Sequence, residues 1–244
     1  MLTKSQIRLI TSLKHKKYRQ QHGFFVVEGI KTIKELLQSN WMLHALYTTE
    51  SFNNSANPNN YRDEVLISEK DLKRISFLTT PNKALAIFKI PEPKPIDDSG
   101  LIVALDDIRD PGNLGTIIRL CDWFGIKDLV CSRETADCFN PKVIQATMGS
   151  ITRVNISYVD LAVFLKESET PIYGAFMEGE TVYTKNLSQK GILVMGNEAN
   201  GVSKEIETYI NEKVAIPRFG DLQATESLNV ATATAILLSE FRRG

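Results

Sequence analysis

Apolar residues in the second half of the chain follow two rhythms. Continuous runs such as Leu101-Ile102-Val103-Ala104-Leu105 and Ile192-Leu193-Val194 alternate with helical spacing, as at Leu114, Ile117, Ile118, Cys121 and Phe124. The runs suit strands covered on both faces, and the spaced positions suit helices laid over them. Further strands are expected near Leu129-Val130, Ile156, Ile172 and Val214-Ala215-Ile216. Asp110 caps a helix with Pro111 at its first position. Asn140-Pro141 opens another that Gly149 ends, and Ser203 caps a third through Tyr209. This alternation predicts an α/β domain on a parallel sheet in three layers. The last helix, from about Ser227 to Phe241, is apolar nearly all round. It is expected to be buried against its own sheet and a second subunit.

The first half has shorter units. Thr3 and Gln6 form a capping box for a helix reaching about Gln21. Phe24-Phe25-Val26-Val27 reads as a buried strand, Gly29 as a turn, and Thr32 to Gln38 as a helix. Strands near Leu46, Leu66 and Leu85 and a helix from Ser68 to Ile75 complete a small α/β unit. The Asn-rich stretch Asn53 to Asn60 reads as a mobile loop. Pro91, Pro93 and Pro95 interrupt regular structure. The chain is therefore divided into a domain at 1–90, a linker at 91–99 and a second domain at 100–244.

Composition bounds the possibilities. Within 244 residues, 29 Lys and Arg balance 29 Asp and Glu, which does not suggest a strongly basic nucleic-acid binder. The distribution changes that picture. No acidic residue precedes Glu28, whereas Lys4, Arg8, Lys14, Lys16, Lys17 and Arg19 all do. This is either a solvated helix face or a patch that contacts phosphates. Cys121, Cys131 and Cys138 are odd in number and lack CxxC spacing, so neither a disulfide framework nor a metal site is expected. With no membrane span and no signal-peptide pattern, a cytoplasmic protein is expected.

Three polar clusters sit where apolar runs meet helical patterns, the place where α/β proteins carry chemistry. They are Asp110-Pro111-Gly112-Asn113-Leu114-Gly115 through Arg119, Gly196 to Gly201, and Glu226-Ser227-Leu228-Asn229. Capping explains Asp110 and Pro111 but does not require Asn113. Arg119 lies off the apolar stripe. The Gly-x4-Gly spacing at 196–201 invites comparison with a phosphate-binding loop, but Val202 stands where that loop needs Lys. No GxGxxG occurs. Ser227 is a candidate cap for the last helix, and Asn229, a poor helix former, calls for a polar partner.

In this order, DPGNLGTIIR, MGNEANGVS and IP…ESLNVATA resemble the three motifs of the SpoU/TrmH family of RNA ribose methyltransferases, within the SPOUT superfamily. NPKVIQATMGSI is similar to the segment between the first two motifs, so the resemblance spans 101–242. FFVVEG and the basic helix before it resemble that family's L30e-like substrate-binding domain. The resemblance implies a C-terminal trefoil knot, S-adenosylmethionine as cofactor, a homodimer with its site at the subunit interface, and ribosomal or transfer RNA as substrate. Gly196, Ile216 and Leu228 match positions whose backbones hold the cofactor, and Met195 and Pro217 would shape its pocket. Asn113, Arg119, Glu198, Ser227 and Asn229 match the polar active-site positions. Arg119 is the group associated with activating the 2′-hydroxyl. A guanidinium stays protonated, so a phosphate clamp that stabilises a developing alkoxide is the physical preference. Lys14, Lys16, Lys17 and Arg19 are the candidate RNA contacts. The segment DLQAT makes the stretch from Gly220 to Glu226 longer than is common in the family, and is expected to alter substrate fit or close over the site. The alternatives are a non-catalytic RNA-binding protein on this scaffold and a SPOUT enzyme that methylates a base.

Overall fold

Residues 2–50, 64–220 and 227–243 are described by the structure, a computed structural model. The Asn53–Asn60 stretch and the DLQAT segment lie outside them. Helix α1 (Lys4–Ser12) opens on the expected capping box: Thr3 Oγ1 accepts the Gln6 N–H and Gln6 Oε1 accepts the Thr3 N–H. The helix expected to continue to Gln21 instead breaks, and α2 (Lys16–His22) starts anew after an extended His15. The break has a local cause. Arg19 Nη1 donates to the Leu13 and Lys14 carbonyls at 2.9 and 2.8 Å, satisfying backbone acceptors at the break.

After Gly23 come β1 (Phe24–Glu28), α3 (Ile30–Gln38), β2 (Leu43–Thr48), β3 (Glu64–Leu66), α4 (Glu69–Ile75) and β4 (Ala84–Lys89). Their sheet runs in the order β1-β4-β2-β3. Ile10 and Leu13, with Leu72 and Ile75 of α4, pack on Val26, Leu85 and Ile87 of one face. The proline stretch has no regular structure, but it is tied down: Lys94 exchanges two hydrogen bonds of 3.1 Å with the Asn155 side chain.

The remaining elements are β5 (Leu101–Leu105), α5 (Pro111–Trp123), β6 (Asp128–Ser132), α6 (Pro141–Thr147), β7 (Asn155–Val159), α7 (Leu161–Lys166), β8 (Ile172–Thr181), β9 (Gly191–Met195), α8 (Lys204–Glu207), β10 (Glu212–Ala215) and α9 (Val230–Arg243). Six strands form one wholly parallel sheet in the order β10-β8-β9-β5-β6-β7. Every residue of β5, β6 and β9 is buried, as the continuous apolar runs require. From β5 the chain winds outward through β6 and β7, then crosses to build the other half. β5 and β9 therefore flank the topological switch point, where open α/β sheets bind ligands beyond the carboxyl ends of their strands.

Packing divides the chain into two units, 1–92 with 137–152, and 93–136 with 153–244. In the first, the Phe139 ring lies 4.9 Å from Phe25. Gly149, at φ 96°, faces Glu35 so closely that a Cβ would lie 2.6 Å from the Glu35 Cβ. In the second, α9 packs on α5 with Val230, Ala231, Thr234, Leu237, Leu238 and Phe241 buried. Ala235 and Ile236 are only half covered. No helix among the described residues is long and apolar enough to cross a membrane.

Candidate active site

Two loops meet at the switch point. The loop after β5 continues strand pairing for one bond, from Asp106 N to the Met195 carbonyl at 2.9 Å, and Asp106 Oδ2 accepts the Ser203 N–H at 2.7 Å. Asp107 follows at φ 58°, a left-handed conformation that a non-glycine residue adopts only when held there. Asn197 helps hold it, donating from Nδ2 to the Asp107 carbonyl at 2.6 Å. Asn197 Oδ1 accepts the Ala199 and Asn200 N–H groups at 3.0 and 3.1 Å, and its backbone pairs with Gly201 through two 2.9 Å bonds. The loop after β9 is thus a tight, internally bonded turn. Gly196 is what lets it close, because a Cβ there would lie 2.1 Å from Gly201 C and Val202 N.

Glu198 is the hub. Its Oε1 accepts the Asp110 N–H and Asn113 Nδ2, each at 3.1 Å, and its Oε2 accepts the Arg109 N–H at 3.2 Å. Burial alone would raise this carboxyl's pKa. The bonds from Asn113 and from backbone N–H groups outweigh it and hold the pKa below the usual value, so the group stays anionic. Asn113 passes the link on, its Oδ1 accepting Asn229 Nδ2 at 2.9 Å. The three motifs are therefore one hydrogen-bonded chain, Glu198–Asn113–Asn229. Asn229 also caps α9, its Oδ1 accepting the Ala231 and Thr232 N–H groups at 2.9 and 3.2 Å. The helix begins at Val230, and the cap expected at Ser227 belongs to Asn229.

Met195, Gly196, Ile216, Pro217, Ser227 and Leu228 all border one cavity of about 1310 Å³ beside this chain. Its lining mixes apolar side chains such as Phe176, Val202 and Leu237 with charged ones such as Glu178, Lys204 and Arg218, which suits a cofactor with a flat heteroaromatic end and a charged, polar tail. Arg119 is not gathered in. It is exposed on the outer stripe of α5 with Thr116 and Trp123, and makes no hydrogen bond or ion pair among the described residues. Trp123 is 84 % exposed.

In the first unit Lys14, Lys16 and Lys17 lie on the surface as expected. Arg19 does not join them. It is 2 % exposed, and its Nε reaches Asp137 Oδ2 at 3.0 Å, so it stabilises the helix break and is unavailable to a phosphate. Sequence reasoning missed Asp106, Asp107 and Asn197 as organisers of the site. The signal available was a pair of acids at the end of a wholly apolar run, where β5 opens into the crevice.

A wholly parallel sheet with a ligand-sized cavity beyond the ends of β8, β9 and β10 places the protein among α/β folds that bind ligands at their carboxyl strand ends. Residues 100–239 match the SpoU rRNA Methylase family and residues 4–86 the MRM3-like substrate binding domain, and the chain belongs to the SpoU rRNA methylase family. It is 30 % identical to the 23S rRNA (guanosine(2553)-2′-O)-methyltransferase RlmP of Bacillus subtilis, over 93 % of this chain and 92 % of that one. A TrmH-family structure from Porphyromonas gingivalis superposes with a TM-score of 0.90 at 39 % identity, covering 100 % of this chain and 99 % of the other. An AdoMet-bound rRNA methyltransferase from Sinorhizobium meliloti superposes with a TM-score of 0.83 at 28 % identity, covering 100 % and 96 %.

Proposed function

We propose that the protein is an S-adenosylmethionine-dependent methyltransferase acting on a ribose 2′-hydroxyl of ribosomal RNA. The observation that carries this reading is the Glu198–Asn113–Asn229 chain, which joins all three motifs by hydrogen bonds beside a cavity that Glu198, Ser227 and Leu228 help to line. The names of the similar proteins favour ribosomal over transfer RNA. In this reading, the backbone at Gly196, Ile216 and Leu228 holds the cofactor, with Met195 and Pro217 shaping the pocket. The bound cofactor supplies a methyl group to the ribose oxygen. Asn113, Glu198, Ser227 and Asn229 keep the loops in register, and Arg119 clamps substrate phosphate and stabilises charge on the reacting oxygen.

Arg119 points away from the Asn113 side of α5, so the complete site is assigned to a homodimer in which α5 faces a second copy. The exposed Trp123 on the same stripe supports this. The α9 terminus is held to the body of the second unit by Arg242, which donates to the Phe124 and Gly125 carbonyls and to Gln189. That anchorage is compatible with a trefoil knot of the C-terminal segment. The L30e-like assignment of residues 1–90, the linker at 91–99, the methyltransferase domain at 100–244 and a cytoplasmic location complete the proposal. Lys14, Lys16 and Lys17 serve as its RNA contacts.

The test is transfer of labelled methyl from S-adenosylmethionine to unmodified ribosomal RNA, followed by digestion to nucleosides. A 2′-O-methyl nucleoside is expected, and a methylated base would overturn the ribose assignment. Calorimetric titration with the cofactor accompanies it, with Ala233→Trp as the blocked control because Ala233 lines the cavity on a helix. Substitution of Gly196 would be a poor control, since any side chain there breaks the loop itself. Cofactor and RNA binding without transfer would leave the non-catalytic reading standing.

A further inference from the structure

The break between α1 and α2 opens a cleft of about 620 Å³, walled by Arg8 and Ser12 on one side and by His15, Tyr18 and His22 on the other. The three rings form a row. Tyr18 stands 6.4 Å from His15, edge-on, and 6.4 Å from His22 with planes only 17° apart. Core packing does not account for them, because Tyr18 is 38 % exposed and both histidines lie on the surface. The break itself is fixed by Arg19, which bonds the Leu13 and Lys14 carbonyls and Asp137. Arg8 lines the cleft, Lys4, Lys14, Lys16 and Lys17 of the same stretch of chain are exposed, and no acidic residue precedes Glu28.

Exposed rings interleaved with cations match single-stranded nucleic acid, whose unpaired bases stack on aromatic faces while phosphates meet the charges. Duplex RNA hides its base faces and offers backbone, 2′-hydroxyls and base edges instead. We propose that this cleft binds an unpaired stretch of the RNA substrate, stacking a base against Tyr18 and placing an adjoining phosphate on Arg8. The proposal rests on the reading of the protein as an RNA enzyme, and narrows it: the element recognised is a loop or single strand, read away from the methylation site.

The test uses the full chain and a single-stranded RNA of about ten nucleotides, matched to common single-strand site sizes, beside its own duplex. Tyr18→Ala is expected to weaken single-strand binding about 5- to 100-fold, the range that loss of one stacked base gives, and to leave duplex binding unchanged. Tyr18→Phe retains the ring face and should bind like wild type. Arg8→Ala is expected to lower the slope of log affinity against log salt by about 0.7. Undiminished single-strand affinity in Tyr18→Ala overturns the proposal, as does an equal loss for duplex. Cofactor titration and methyl transfer run alongside. A wild type that transfers methyl normally but shows no Tyr18 effect sinks only the cleft, whereas a Tyr18 effect without any methyl transfer sinks only the enzymatic reading.

Discussion

Arg19 and Arg119 are the same residue put to opposite uses. Arg19 is enclosed, with its guanidinium satisfied by Leu13, Lys14 and Asp137. Arg119 stands in the open and uses none of its donors among the described residues. The carboxylates of the two units differ in the opposite sense. Burial raises the pKa of Glu28, against bonds from Ser76 Oγ and the Phe77 N–H that fall short of compensating it. Glu198 meets burial too, but its donors, Asn113 and loop N–H groups, outweigh it. An enclosed ion whose partners all lie in its own unit, as at Arg19, serves the scaffold. In the function we propose, an ion with spare capacity, as at Arg119, or one that joins several motifs, as at Glu198, serves the chemistry.

The contrast breaks most sharply at Arg119. Arg119→Ala should lower methyl transfer by about a thousandfold, near the upper range for loss of one charge-stabilising donor. Cofactor affinity and thermal stability should stay close to wild type. Wild-type turnover in single-turnover kinetics would remove Arg119 from the site. The next largest effect reverses the pattern. Arg19→Ala leaves Asp137 and two carbonyls without their partner, and should cost about 3 kcal/mol of unfolding free energy. Urea denaturation checks this; a loss below about 0.5 kcal/mol, the scale of an exposed pair, would mean that the helix break is not held by this fork.

Much of this was legible in the chain. The apolar runs became β5, β6 and β9, and Asp110, Asn140 and Ser203 cap helices as their spacing suggested. The three polar clusters converge because strand ends at a switch point must. The helix break at Leu13 was not legible, since the residue that stabilises it, Arg19, looks in sequence like one more member of a basic face. Its partner Asp137 lies more than a hundred positions along the chain, beyond the reach of any local pattern. Nor did periodicity reveal that Phe139 and Gly149 belong to the packing of the first unit, because a capped helix advertises its start and end but not its neighbour. The cap of α9 moved from Ser227 to Asn229 for a similar reason: Asn229 both caps the helix and answers Asn113.

Glu198→Gln sharpens the comparison with the smallest expected change. The amide can keep its oxygen where Oε1 accepts Asp110 N–H and Asn113 Nδ2, but its NH₂ then faces the Arg109 N–H, donor against donor. A loss of about 1 kcal/mol at neutral pH is expected, the net scale of one hydrogen bond. The sign of its pH dependence follows from the direction of the shift. A carboxyl whose folded pKa is depressed contributes stability in full above its unfolded value, about 4.3 for Glu, and loses that contribution as pH falls through the folded pKa. The gap between wild type and variant should therefore be constant from neutrality to about pH 5 and close in more acidic solution. Denaturant midpoints across that range measure it, with hydrogen-exchange protection at Arg109 and Asp110 as the local readout. A gap that persists undiminished at low pH would show that Glu198 acts by its shape and not by its charge.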